Sequence, residues 1–323
     1  MNSFGTLFRI SIYGESHGAG VGVVIDGCPP GISVAESDFE HDLEKRKAGK
    51  AGTTPRIESD FPQLMSGVFK GKTTGAPINI FFANKNVKSK DYDNLINSPR
   101  PGHADFTASQ KYKGFNDYRG GGHFSGRLTV GLVGAGVIAK KIIPNISIQA
   151  QLIKAGGSAN IDRVVQEALK NNDSIGGIVE CIAQNIPVGL GEPFFESVES
   201  LISHIVFSIP AIKGIEFGSG FAAATLKGSE HNDCLINTEG KTATNHAGGI
   251  NGGITNGNEI IFRAAVKPTS SISLPQETIN LESGKMEKLE IKGRHDACIA
   301  LRVPPVIEAA TAIVLADLLL QNR

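Results

Sequence analysis

Apolar and polar positions fall into short blocks along the chain, and most blocks show a clear period. Residues 21–25 form a β-branched run closed by Asp26-Gly27 and Pro29-Pro30-Gly31, which predicts a strand and a turn. Ser33-x-x-Glu36 has capping-box spacing, and behind it Phe39 and Leu43 fall four apart. That predicts a short helix with one thin apolar stripe. Residues 63–69 and 77–82 read as strands, and 127–143 as an apolar helix ended by Pro144. Further along, the periods predict a strand at 146–153, an amphipathic helix at 161–170, a strand at 176–182 and a helix at 198–206. Strands follow at 211–217 and 259–266, with a Gly/Asn/Thr-rich stretch between them. Residues 303–320 close the chain as a helix that starts on Pro304-Pro305, where proline is tolerated. Glu308 and Asp317 interrupt it, so a buried helix is expected rather than a membrane span.

Two stretches refuse a period. Residues 45–56 are basic and carry Gly49, Gly52 and Pro55, so the helix before them cannot continue. Residues 98–126 are irregular over a length that usually marks function. No low-complexity linker divides residues 1–323, and a single domain is expected. One weak internal similarity suggests duplicated halves: Gly120-Gly121-Gly122-His123-Phe124-Ser125-Gly126-Arg127 and Lys292-Gly293-Arg294-His295-Asp296 both lead toward long apolar helices.

Composition narrows the function. Lys+Arg and Asp+Glu are 32 each, which argues against a surface built for nucleic acid or an anionic membrane. Glycine is 39 of 323, well above the usual ~7%, so many turns and close backbone approaches are expected. Cys28, Cys181, Cys234 and Cys298 lack metal-ligand or CxxC spacing, so neither a metal site nor a disulfide framework is expected. With no leader at Met1-Asn2-Ser3-Phe4-Gly5, the reading is cytoplasmic.

Within that neutral chain the candidate chemistry is focused. His17, His103, His123 and His295 sit in Gly- or Arg-flanked segments and could move protons near neutral pH. Arg100, Arg119, Arg127 and Arg294 lie in Gly-rich segments and suit carboxylate or phosphate. Lys267-Pro268-Thr269-Ser270-Ser271 follows a strand and could cradle a phosphate. His204 and His231 are read as outside the chemistry. Gly134-Ala135-Gly136-Val137-Ile138-Ala139 fits a dinucleotide fingerprint, but it falls inside an apparent helix and lacks an acid at the right spacing. An NAD(P) oxidoreductase and a non-catalytic anion binder therefore stand beside an enzyme acting on a small polyanion.

Seven motifs appear in register from residue 4 to about 320. They are Tyr13-Gly14-Glu15-Ser16-His17-Gly18, Arg100-Pro101-Gly102-His103-Ala104-Asp105, Asp117-Tyr118-Arg119-Gly120-Gly121-Gly122, Ala211-Ile212-Lys213-Gly214-Ile215-Glu216, Gly248-Gly249-Ile250-Asn251-Gly252-Gly253-Ile254, Lys267-Pro268-Thr269-Ser270-Ser271 and Gly293-Arg294-His295-Asp296. Together they resemble the chorismate synthase family. The resemblance implies an α+β fold, a β-α-β sandwich with pseudo-duplicated halves, assembled as a homotetramer. It implies a carbon–oxygen lyase of the shikimate pathway that converts 5-enolpyruvylshikimate 3-phosphate to chorismate and phosphate by anti-1,4-elimination with reduced FMN. NADPH would serve only through an external flavin reductase.

The same resemblance implies roles. His17, His103 and Asp296 would be catalytic. Ser16, Lys47, Arg56, Arg127 and Arg294 would bind substrate. His123, Phe124, Ser125, Ala211, Gly252, Lys267, Pro268, Thr269, Ser270, Ser271 and Arg294 would line the flavin site. Several positions depart from the family pattern: His123 and Leu128 stand where Arg and Glu are usual, Lys47 where Arg is usual, and Ala297 where Pro is usual.

Overall fold

A computed structural model describes residues 2–54, 58–86, 92, 95–291 and 295–322. The first half runs β1 (Ser3–Phe4), β2 (Arg9–Gly14), β3 (Gly20–Asp26), α1 (Glu40–Arg46), β4 (Gln63–Ser66), the small hairpin β5 (Val68–Phe69) and β6 (Lys72–Thr73), and β7 (Ile78–Ala83). Then come α2 (Asp105–Lys111) and α3 (Thr129–Ile142). The second half runs β8 (Ser147–Ala155), α4 (Ile161–Lys170), β9 (Gly177–Gln184), α5 (Val198–Ser208), β10 (Ile212–Phe217), α6 (Gly228–His231), the hairpin β11 (Ile250–Asn251) and β12 (Ile254–Thr255), and β13 (Ile260–Val266). A last hairpin, β14 (Gln276–Ile279) and β15 (Met286–Leu289), precedes α7 (Pro304–Gln321).

The halves repeat one topology. The first sheet has the order β1-β2-β3-β7-β4 and the second β10-β13-β9-β8, every pair antiparallel. Setting aside the edge strand β1, each sheet places its strands in the sequence order first, second, fourth, third. Each half has a helix before its third strand (α1, α5) and a long helix after its fourth (α3, α7). The duplication suggested by two short motifs is therefore a duplication of whole β-β-α-β-β-α units, with α4 inserted in the second.

The two long helices meet in the middle. α3 packs on β3 and β7, α7 packs on β8 and β9, and α3 and α7 pack on each other. A helix covered on all sides should be apolar all round. Every residue from Pro305 to Leu318 is buried, including the two acids that interrupt the apolar run. Both are satisfied: Glu308 accepts from the Ala150 amide at 3.0 Å and sits 3.4 Å from Lys140, while Asp317 accepts from the amides of Thr6, Leu7 and Phe8 at 2.7–2.8 Å. Thus α7 is long and apolar enough to cross a membrane by length and composition, yet it forms the centre of the sandwich.

Gly134 and Gly136 lie inside α3 rather than at a strand-to-helix turn, so the dinucleotide fingerprint is not formed. Their use is steric. A Cβ on Gly136 would stand 2.4 Å from Cβ of Ala309 on α7. Gly136→Ala is expected to force the two helices apart and lower stability by about 1–3 kcal/mol, read as a lower urea midpoint at unchanged m-value.

Local differences from the sequence reading have local causes. The cap of the first helix is shifted by two residues: the Ala35 amide donates to Asp38 at 2.7 Å, while Ser33 pairs with Lys72. Residues 98–126 are not wholly irregular, since α2 forms within them. β2 and the hairpin β14–β15 had no clear period.

Candidate active site

A cavity of about 840 Å³ opens where the loops of both halves converge. Its described walls carry seven Lys or Arg side chains and three Asp or Glu, in a chain whose charges balance overall. Such a concave, net-positive site concentrates anions.

The segment before α2 builds one wall. The Asp105 carboxylate takes two bonds from the Arg100 guanidinium, Nε at 2.7 Å and Nη2 at 2.8 Å, and a third from His103 Nδ1 at 2.6 Å. Burial opposes the Asp105 charge, but the Arg100 and His103 bonds outweigh it and hold the carboxyl far below the usual range. Because a carboxylate only accepts, His103 carries a proton on Nδ1 and leaves Nε2 for a ligand. Arg100 also donates to Ser271 at 2.9 Å, and Ser270 donates to the Gly102 carbonyl at 2.7 Å. These bonds lock residues 267–271 of the second half onto the His103 loop of the first.

That second-half loop keeps Lys267 half-buried, with Nζ 2.6 Å from Ser270 Oγ. Burial, aided by Lys213, pushes the Lys267 ammonium downward. Thr269 Oγ1 is buried with no hydrogen-bond partner among the described residues. Just before the loop's strand partner, Ala211 sits at φ 77°, a strained backbone for alanine. Its carbonyl accepts from the Lys267 amide at 2.8 Å.

A buried charge cluster also lines the cavity. Asp60 joins Arg46 at 3.0 Å and pairs closely with Arg127. Arg127 also donates to Asn84 at 3.0 Å, and Arg46 to Thr129 and the Gly126 carbonyl at 3.0 Å. Two guanidiniums and one carboxylate leave one net positive charge facing the cavity. Asp296 is buried beside them: its Oδ1 accepts from the Thr54 amide at 2.9 Å and lies 3.5 Å from Arg302. Arg302 in turn donates to the Arg46 carbonyl at 3.2 Å.

His17 does not border the cavity directly. It is buried behind Gly120, which does, and stands edge-on to Tyr92 at 5.1 Å. Gly120 has φ 60°, and a Cβ there would come within 2.6 Å of His17 Nε2 and 3.0 Å of Ser16 Oγ. Only glycine lets the chain pass so close. Ser16 Oγ is buried without a partner among the described residues.

The remaining candidates divide. His123, Phe124 and Ser125 line the cavity, though both His123 ring nitrogens are engaged, with the Gly14 carbonyl at 2.8 Å and Asn2 at 3.2 Å. Lys47 lines it too, with its ammonium paired to Glu44. Gly252 is in the tight turn between β11 and β12 and is not among the residues that line the cavity. Arg56 and Arg294 lie outside the described residues. His204, read as outside the chemistry, borders the cavity and packs edge-on against Phe4 at 5.2 Å. Asp60, Arg302, Thr54 and the full role of Arg46 were not foreseen. Asp60 and Arg302 lie outside every motif, Arg46 and Thr54 lie in the basic stretch 45–56 without a recognisable partner, and only the fold brings the four together.

A sequence model of the chorismate synthase family matches residues 8–320. A chorismate synthase from Chitinophaga pinensis is 62% identical over 324 residues, covering 100% of this chain and 98% of that protein. One from Thermococcus kodakarensis is 46% identical over 348 residues, covering 99% and 98%. A crystal structure of chorismate synthase superposes with a TM-score of 0.76 at 26% identity, covering 98% of this chain and 93% of that one.

Proposed function

The chain belongs to the chorismate synthase family, lyases of aromatic amino-acid biosynthesis, and from that membership and the cavity we propose how its residues work. The reaction is the anti-1,4-elimination of phosphate from 5-enolpyruvylshikimate 3-phosphate, giving chorismate, with reduced FMN as cofactor. The observation that carries this reading is one net-positive cavity lined by an aimed histidine and a buried aspartate. Its volume is at the upper end of the range for small-molecule sites, enough for a cofactor beside a substrate.

The residues suit a flavin mononucleotide. Lys267, Ser270 and the unpartnered Thr269 hydroxyl suit its phosphate, and His103, held by Asp105 through Nδ1, would donate to an electron-rich ring edge when its ring also carries a hydrogen on Nε2. When bound, reduced FMN would supply electron density at the breaking C–O bond.

The protein's own part is orientation and charge. Arg127, with Arg56 and Arg294, binds the phosphate and carboxylates, and Asp60 keeps Arg46 and Arg127 aimed together. Ser16 and Lys47 add substrate contacts. His17, which stands behind Gly120, would give its proton to the departing phosphate past that glycine, whose lack of a side chain leaves the approach open. Asp296 holds the proton lost from C6 on its carboxylate. His123, Phe124, Ser125 and Ala211 shape the flavin wall, and Gly252 belongs to the same proposed set. The active form is a homotetramer of single-domain chains in the cytoplasm, fed with reduced flavin by an external reductase.

The purified protein is expected to release chorismate and phosphate in equal amounts from the enolpyruvyl substrate under anaerobic conditions with chemically reduced FMN, and neither with oxidised FMN. Substrate binding without either product would replace the lyase reading by the anion-binding one.

A further inference from the structure

The proposed reaction leaves one aimed polar group unused. His295 borders the cavity beside Asp296, and its Nε2 is buried with no hydrogen-bond partner among the described residues. The ring also makes a hydrogen bond to the backbone of Ile291. With Nε2 unpartnered, that bond uses Nδ1, and since a carbonyl only accepts, Nδ1 carries the hydrogen. Nε2 is left as a bare lone pair. Burial, and then the neighbouring Arg100 cation, push the His295 pKa down, against the weaker pull of Asp296, so the ring is neutral near pH 7. Among the described residues, the charged side chains acting on it are Arg100 and Asp296.

Buried polar groups in folded proteins are normally paired, and an exception beside a ligand cavity calls for a ligand group. Every cation nearby suits an acceptor; this nitrogen suits the opposite. We infer that the Nε2 lone pair of His295 accepts a hydrogen bond from a neutral O–H or N–H donor on a molecule bound in the cavity, which makes His295 a specificity-determining contact. The inference rests on the proposed function. On the substrate, the carboxylates, the phosphate and the enol ether only accept, so the C4 hydroxyl is the one neutral donor. On reduced FMN the donors are its N–H groups and ribityl hydroxyls. A rival that lacks the donor, or carries an acceptor in its place, is rejected because Nε2 would stay unpaired.

The test compares His295→Phe and His295→Gln with the parent protein in anaerobic calorimetric titrations, one with the substrate and one with reduced FMN. Phenylalanine removes the unpaired Nε2 but also the Nδ1 bond to Ile291, so the ligand-free variant should melt slightly below the parent while remaining folded, and its affinities are read on folded protein. Affinity for one ligand should fall at least about tenfold. Glutamine can present a carbonyl oxygen at similar reach and should recover most of that loss. A loss confined to the substrate assigns the C4 hydroxyl, and a loss confined to FMN assigns a flavin donor. Parent-like affinity of the phenylalanine variant for both ligands overturns the inference while leaving the proposed function standing. A parent protein that binds neither ligand overturns both.

A second measurement needs no variant. In a ¹⁵N spectrum of histidine-labelled protein at neutral pH, His295 should show a hydrogen on Nδ1 and a bare Nε2 whose resonance moves when the ligand is added. A cationic ring, or the hydrogen on Nε2, overturns the inference.

Discussion

Asp60→Ala is expected to destabilise the protein by about 3–5 kcal/mol, one of the two largest effects any single substitution here should have. The Asp60 side chain is 2% exposed, and the guanidiniums it joins, Arg46 and Arg127, are 4% and 5% exposed. Removing the carboxylate leaves two like charges buried together without their common counter-ion. Burial already disfavours the Arg46 cation, the Asp60 charge opposes that, and Arg302 and Arg127 add repulsion. Asp60→Asn keeps an acceptor and the shape but loses the charge, so it should fall between the parent and alanine. Asp60 also sits at φ 48°, which aspartate tolerates better than alanine does. The measurement is the urea midpoint of the three proteins at equal m-value. An alanine variant within about 1 kcal/mol of the parent would mean that water or the remaining bonds of Arg46 and Arg127 suffice. A stability gap should come with weaker substrate affinity, because the same carboxylate aims this cluster at the cavity.

The helices and strands with strong periods were readable from the sequence, and the cluster just described was not. Residues 161–170 carry a sharp amphipathic pattern and form α4 at those bounds. The apolar run ending near Leu320 forms α7, and its acids, which suggested only interruption, are each held by named amide or lysine partners. α2 escaped because it is seven residues long and buries only Ala108, too little for a visible stripe. The site divides the same way. His103 and Asp105 are two residues apart in a Gly-rich motif, so their partnership could be suspected. Asp60 and Arg127 are 67 positions apart, and Thr54 and Asp296 are 242 apart. Such pairs exist only after the two sheets close over α3 and α7. The dinucleotide-like glycines were ambiguous for the converse reason: a short pattern can arise from helix contact alone, as the Ala309 approach shows.

Asp296→Asn is expected to lower turnover by about 10²–10⁴-fold while substrate affinity changes little. The carboxylate is buried, tied through Oδ1 to the Thr54 amide, and faced by Arg302. Asparagine keeps the size and can still accept from Thr54 through its carbonyl oxygen, so the local fold should persist. What it loses is basicity, and an amide cannot hold the proton taken from C6. It also loses the negative charge opposite Arg302, a largely buried pair at 3.5 Å, so some stability is lost as well and is read separately from the rate. The split between the two effects is the test. Anaerobic single-turnover release of phosphate and chorismate should slow by the full factor, whereas the calorimetric Kd for substrate should stay within about threefold. Arg127→Ala should show the reverse bias, with affinity falling more than the rate at saturating substrate, because its guanidinium belongs to the buried charge cluster. Parent-like turnover in Asp296→Asn would move the proton-holding role to another group, and Asp296 would then serve charge balance alone.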